Sequence, residues 1–196
     1  IGFFVNPEDA LVWRGPMASK ALNQLIRDAN WGELDFLLID LPPGTGDIHL
    51  SIVQEVPVTG AVIVSTPQHV ALADVKRGIA MFQMESINIP VLGLIENMSY
   101  FSPEELPDNK YYIFGKQGAQ YLAEDLNIPI LGEIPLIQSI RESGDVGRPA
   151  ALQDGTKIQE IYKETAQKMI ESLVERNKNM APTEAVKITT MAGCSP

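Results

Sequence analysis

Four short apolar runs punctuate the chain, at residues 36–39, 61–64, 91–95 and 130–134, and none alternates strictly between apolar and polar positions. Continuous apolar character over so few residues suits parallel strands covered on both faces. Between the runs, apolar positions recur at three- and four-residue spacing. Ala18, Ala21, Leu22, Leu25, Ile26 and Ala29 follow Gly15-Pro16, where Pro16 is pre-set for a first helical turn, so an amphipathic helix over the sheet is expected. Leu72, Val75, Ile79 and Phe82 precede Asn88-Ile89-Pro90, and Ala119, Leu122, Ala123 and Leu126 precede Asn127-Ile128-Pro129. Each of these helices therefore feeds a strand through a short turn. The order implies right-handed crossovers and an α/β fold, a mostly parallel sheet with helices on both faces.

A last helix is marked by Ile158, Ile161, Tyr162, Met169, Leu173 and Val174, with Glu164 and Lys168 four apart on a solvated face. The pattern lapses beyond Arg176, so residues 1–176 are expected to form one domain and residues 177–196 a flexible tail. Residues 102–110 read as a proline- and acid-containing insertion at an exposed edge. A chain of this size can bury roughly 70% of its extended surface on folding, so it needs no covalent staple.

Composition narrows the function. The single cysteine, Cys194, excludes an intrachain disulfide framework and any multi-cysteine metal site within one chain, and points to a reducing, cytoplasmic setting. Fifteen Lys and Arg against 25 Asp and Glu give a formal charge of -10, which repels phosphate backbones and argues against nucleic-acid binding. The apolar runs are far shorter than a membrane span, and no charged-then-apolar leader precedes them, so no stable membrane association is expected.

The richest chemistry lies in Phe36-Leu37-Leu38-Ile39-Asp40 and the turn Leu41-Pro42-Pro43-Gly44-Thr45-Gly46-Asp47. A carboxylate at the end of a strand can orient a magnesium-bound water, while Gly44 and Gly46 let backbone approach a phosphate. The alternative is a rigid turn in which Asp40 or Asp47 caps a helix beginning near Ile48. Asn97 follows Val91-Leu92-Gly93-Leu94-Ile95-Glu96; its amide matches a purine edge, or makes a local turn with Met98 and Ser99, and Glu96 reads as a solvated strand terminus. Pro135, in Gly132-Glu133-Ile134-Pro135-Leu136, presents surface to a base or simply ends an edge strand. Asp40, Ser65-Thr66-Pro67, Asn97 and Pro135 each follow a successive run, which in a parallel sheet means one shared carboxyl edge. Arg141 completes a flank of that edge or forms a surface ion pair near Glu142. Trp13 is a partner anchor or a core aromatic. His49 and His69 form no HExxH pair and read as core or helix-edge residues, and Ser65, Thr45 and Ser99 lack the context of a nucleophile elbow. No GxxxxGK[ST] phosphate loop occurs.

Taken with Trp13-Arg-Gly-Pro-Met17, Ile95-Glu-Asn-Met-Ser99, Ile113-Phe-Gly115 and Gly132-Glu-Ile-Pro-Leu136, the segment Asp40-Leu-Pro-Pro-Gly-Thr-Gly-Asp47 closely resembles the Mrp/Nbp35 (ApbC-type) ATPases over about residues 1–175. These are iron-sulfur cluster carriers of the deviant-Walker-A P-loop class. The resemblance implies a MgATP-dependent carrier or assembly factor, working as a homodimer with iron-sulfur donor and acceptor proteins. Asp40 would be the second acidic switch position, touching magnesium through water, with Gly44 in the moving turn. Asn97 would contact adenine, and Pro135 would line the base pocket.

Two departures qualify the likeness. The family's Lys-Gly-Gly-Val-Gly-Lys-Ser/Thr loop lies upstream of the segment matching Ile1, which implies that this chain is the carboxyl-terminal part of a longer ATPase and that residues 1–196 alone bind ATP weakly and are inactive. Many family members also carry a Cys-x-x-Cys pair after Asn-Met-Ser, whereas Tyr100-Phe-Ser-Pro-Glu-Glu-Leu-Pro-Asp-Asn-Lys-Tyr-Tyr112 has no thiol, so no convincing iron-sulfur ligand is expected there. The competing functions are a nucleotide-switch scaffold that has lost cluster binding and a ParA/MinD-like partitioning ATPase.

Overall fold

The computed structural model describes residue 8, residues 15–103, 105, 106 and 108–186. These residues fall into two compact units, one holding the described residues up to Pro57 with Ala185 and Val186, the other Val58–Glu184.

The larger unit is a three-stranded parallel sheet in the order β1-β2-β3, where β1 is Ala61–Ser65, β2 is Val91–Phe101 and β3 is Ile130–Leu136. Helix α3, His69–Gln83, connects β1 to β2, and α4, Gly118–Leu126, connects β2 to β3. After β3 come α5, Gln138–Asp145, a 3-10 turn at Ala150–Leu152, and α6, Lys157–Asn179. The expected helices and three of the four expected strands form, because apolar period and turn chemistry agree over each segment.

Both helix-to-strand connections are built alike. Asn88 and Asn127 take left-handed backbone, with φ of 48° and 53°, a conformation that asparagine tolerates better than most residues. The next residue, Ile89 or Ile128, is buried, and the following proline gives its carbonyl to a neighbouring strand: Pro90 accepts from Ala61 N–H and Pro129 from Leu94 N–H, both at 2.9 Å. A proline at this point loses nothing by lacking its own N–H, since only its carbonyl enters the ladder.

The faces of the sheet are distinguished by their contacts. Leu94, with no exposed surface, packs with Leu72 and Ile79 of α3 and Ala119 and Leu122 of α4. Gly132, on the opposite side of β3 from Glu133, lies so close to Thr165 of α6 that a Cβ there would collide with its hydroxyl and methyl group. Helices therefore cover both faces, α3 and α4 on one and α6 on the other, as the continuous apolar runs required.

In the smaller unit, α1, Gly15–Arg27, packs against α2, Asp47–Glu55. Ile52 and Val53 of α2 are buried, Ser19 and Ser51 hydrogen-bond across the helix pair at 2.9 Å, and Arg27 pairs with Glu55. Val186 N–H donates to Val53 O at 2.8 Å.

One expectation about the elements needs correction. Residues 36–39 do not form a strand: they carry no ladder partner among the described residues, and Leu38 is 76% exposed. A strand exists only through its neighbours' hydrogen bonds, so apolar content alone does not make one. The last helix continues past Arg176 to Asn179; Arg176 is buried there, its Nη2 donating to Ala181 O at 2.7 Å.

Candidate functional site at the carboxyl edge of the sheet

Parallel pairing brings the ends of the three strands into line. Ser65 pairs with Glu96, Glu96 with Glu133, and Asn97 with Ile134. Ser65 is buried, and its Oγ donates to Thr66 O at 3.0 Å. Pro67, two residues on, meets the start of α4 so closely that a Cβ on Gly118 would strike the Pro67 carbonyl. Glycine at that helix start is thus a packing requirement.

Glu96 departs from the solvated strand terminus expected of it. It is 1% exposed, so it is no solvated terminus. Its Oε1 accepts from Ser99 Oγ at 2.6 Å and its Oε2 from Ala119 N–H at 2.8 Å. The N-cap of α4, Gln117, has a left-handed backbone and no side-chain cap bond, so Glu96 supplies from β2 the acceptor that the helix start lacks. Glu133, its in-register neighbour, accepts from Gln120 Nε2 at 2.6 Å. Two carboxylates directly opposite each other repel. Here each is given its own donor from the first turn of one helix. An acid at the end of an apolar run, followed three residues later by a serine, was the only trace of this in the sequence.

Asn97 lies within β2 and not after it. Regular pairing stops at Asn97 with Ile134, and the next pair is Phe101 with Leu136, four steps along β2 against two along β3. This bulge contains Met98 in left-handed backbone at φ 53°. Asn97 Oδ1 accepts from Met98 N–H at 3.0 Å, a local bond of the kind expected as the alternative to ligand contact. Because a backbone N–H fixes which end of the amide faces it, the Nδ2 donors are left pointing elsewhere. Pro135 is buried and sits one residue before the end of β3.

The remaining candidates divide. Asp40 and Gly44 belong to the smaller unit. Asp40 is exposed in a stretch without assigned structure or ladder bonds among the described residues, and Gly44 has φ 102°, with open space around the position a Cβ would take. Gly46 is the N-cap of α2, and Asp47 occupies its first turn, where its charge suits the helix dipole. Arg141 pairs with Asp145 and Glu142 at 2.7 and 3.1 Å in exposed ion pairs, the surface alternative. His69 opens α3 and is exposed; His49 is buried in α2, its Nδ1 without a partner among the described residues. Trp13 and Cys194 lie outside the described residues.

The donor sets decide what could bind. Among the described residues no three His, Cys, Asp or Glu converge on a metal-sized site. An exposed single carboxylate such as Asp40 still suits magnesium, which keeps several waters and takes its other ligands from phosphates. The segment after β2 suits an iron-sulfur cluster poorly. It is an aromatic loop in which Phe101 and Tyr111 exchange backbone hydrogen bonds at 2.8 Å and Lys110 Nζ stands 4.0 Å over the Tyr100 ring, with no thiol or imidazole. The depression lined by Met84, Glu85 and Ser86 follows the end of α3, at the amino edge from which β2 starts, and takes no part in the site.

The sheet order, the crossover helices and the aligned carboxyl edge are those of a P-loop NTPase fold. A nucleotide-binding protein from Archaeoglobus fulgidus, solved in complex with ADP, superimposes with a TM-score of 0.59 at 40% identity, over 66% of this chain and 52% of that one. A family model described as ParA: NUBPL iron-transfer P-loop NTPase matches residues 1–170, and the chain belongs to this family. The iron-sulfur cluster carrier protein of Synechocystis sp. is 49% identical over 149 residues, 76% of this chain and 42% of that protein. The iron-sulfur cluster transfer protein NUBPL of Dictyostelium discoideum is 47% identical over 174 residues, 88% of this chain and 53% of that protein. The chain spans about half the length of these curated relatives. No helix among the described residues is long and apolar enough to cross a membrane.

Proposed function

We propose that this chain is the carboxyl-terminal part of a MgATP-dependent switch that carries or hands over iron-sulfur clusters, acting as a homodimer with cluster donor and acceptor proteins in the cytoplasm. The observation that supports the nucleotide reading is the β2 edge, where Asn97 stands at the last regular pair before the bulge with its Oδ1 turned to Met98 N–H and its Nδ2 making no side-chain hydrogen bond among the described residues. The relatives' names and the ADP in the Archaeoglobus fulgidus structure support the same reading. In it Asn97 and Pro135 serve the base. Asp40 would face magnesium through a water, where the ion supplies positive charge beside the phosphates, and Gly44, at φ 102°, would lie in the moving turn. Bound MgATP supplies the phosphoryl group and the metal's charge. Residues 1–176 would then be the carboxyl-terminal part of the nucleotide-binding domain, ahead of a tail.

Isothermal titration tests the nucleotide half. Protein expressed from the complete gene is expected to bind MgATP tightly, and residues 1–196 weakly or not at all; tight, magnesium-dependent binding by residues 1–196 alone would overturn this division of labour.

A second reading, a nucleotide switch without cluster cargo, is favoured by the thiol-free loop after β2. Anaerobic reconstitution followed by iron and sulfide analysis separates the two. Stoichiometric cluster lost on Cys194→Ser supports the carrier, and no bound iron supports the switch alone.

A further inference from the structure

Asn97 and Met98 lie between two residues joined by their side chains. Glu96 and Ser99 close over them through the 2.6 Å hydroxyl-carboxylate bond, and the other carboxylate oxygen reaches Ala119 N–H in the first turn of α4. Strand alternation places Glu96 on the α4 side of the sheet and Asn97 on the other, in register with Ile134. The bulge would otherwise be the least constrained part of β2, since it forms no regular pair with β3 between Asn97 and Phe101. A buried carboxylate with both oxygens engaged by short bonds, one of them to a helix N-terminus, is a stiff anchor.

We propose that Glu96 is the positioning residue of the base edge: it clamps the Asn97-Met98 bulge to the start of α4 and so sets where the Asn97 amide stands. This rests on the nucleotide reading above. Glu96 does not touch the ligand in this account. Its effect passes through the backbone of β2 to Asn97, and it should therefore concern the base and leave phosphate binding alone.

The test titrates two probes, MgATP and magnesium tripolyphosphate, into protein expressed from the complete gene. Tripolyphosphate lacks base and ribose. Glu96→Ala is expected to raise the Kd for MgATP about tenfold, and in a parallel hydrolysis assay to raise KM at unchanged kcat, while tripolyphosphate affinity stays within about twofold. Glu96→Gln should stay within about twofold of wild type for both, because its amide can accept from Ala119 N–H and donate to Ser99 Oγ. In an Asn97→Ala background, Glu96→Ala should add little, since the two act on one contact. Should Glu96→Ala fail to fold, Ser99→Ala removes one bond of the clamp and should weaken MgATP alone, about threefold. Equal weakening of both probes, or a full further loss on top of Asn97→Ala, would overturn the proposal. If Asn97→Ala leaves the preference for MgATP over tripolyphosphate intact, the base reading itself falls and the proposal with it; if Asn97→Ala abolishes that preference and the Glu96 and Ser99 variants keep it, the proposal alone falls.

Discussion

In the larger unit the run Val91-Leu92-Gly93-Leu94-Ile95-Glu96 lies between two parallel neighbours, with Leu94 fully buried and Glu96 1% exposed. In the smaller unit the run Phe36-Leu37-Leu38-Ile39-Asp40 has no ladder partner among the described residues, and Phe36, Leu37 and Leu38 are exposed. Both are apolar stretches closed by an acid. Their acids differ in kind because their surroundings differ: the Glu96 oxygens are held by Ser99 and Ala119, whereas the Asp40 side chain is exposed. A buried carboxylate is fixed by the donors around it. An exposed one keeps its coordination capacity.

Substitutions at matched positions should break or sharpen this contrast. The largest difference is expected in apolar burial. Leu94→Ala, at a side chain with no exposed surface, should destabilise the larger unit by about 3 kcal/mol in denaturant unfolding, and Leu38→Ala by less than about 0.5 kcal/mol. Next come the acids. Glu96→Ala leaves a buried hydroxyl and a buried helix-start N–H without their acceptor and should cost about 2 to 3 kcal/mol, against less than about 0.5 kcal/mol for Asp40→Ala. Similar losses at the two acids would mean that Asp40 is also a structural anchor.

The glycines extend the comparison at smaller scale. Gly132→Ala should cost about 2 kcal/mol, because Thr165 must shift, and Gly44→Ala about 1 kcal/mol, from backbone strain at φ 102° in open space. The smallest effect is on pH dependence. Burial pushes the Tyr162 phenol above its ordinary 10.0, so the folded chain holds this proton more tightly than the unfolded one. The resulting stability is complete below the unfolded value and is lost as pH rises through the folded one. Urea midpoints measured from pH 9 to pH 11 should fall, and Tyr162→Phe should flatten that fall.

Much of the larger unit was legible because its signals are local. The three-and-four spacing of Leu72, Val75, Ile79 and Phe82, and the paired Asn-Ile-Pro turns, each specify an element within a few residues. Topology then aligned Ser65, Asn97 and the Pro135 segment on one edge. Other features depend on partners distant in sequence. The acceptor role of Glu96 needs an N–H 23 residues away, and the extension of β2 to Phe101 comes with a bridge to Tyr111. The run at residues 36–39 departs from expectation for the same reason, since its apolar pattern carries no information about whether a strand stands beside it. The candidate site was therefore half legible: its edge followed from connectivity, and the clamp behind that edge did not.

The central claim of the proposed function is that the exposed acid of the smaller unit, Asp40, is the switch acid that faces the magnesium-bound water. Steady-state hydrolysis of MgATP by protein expressed from the complete gene, wild type against Asp40→Asn, tests it most directly. The account predicts that kcat falls at least about 100-fold in the variant with thermal stability unchanged. Equal turnover by the two proteins would contradict it.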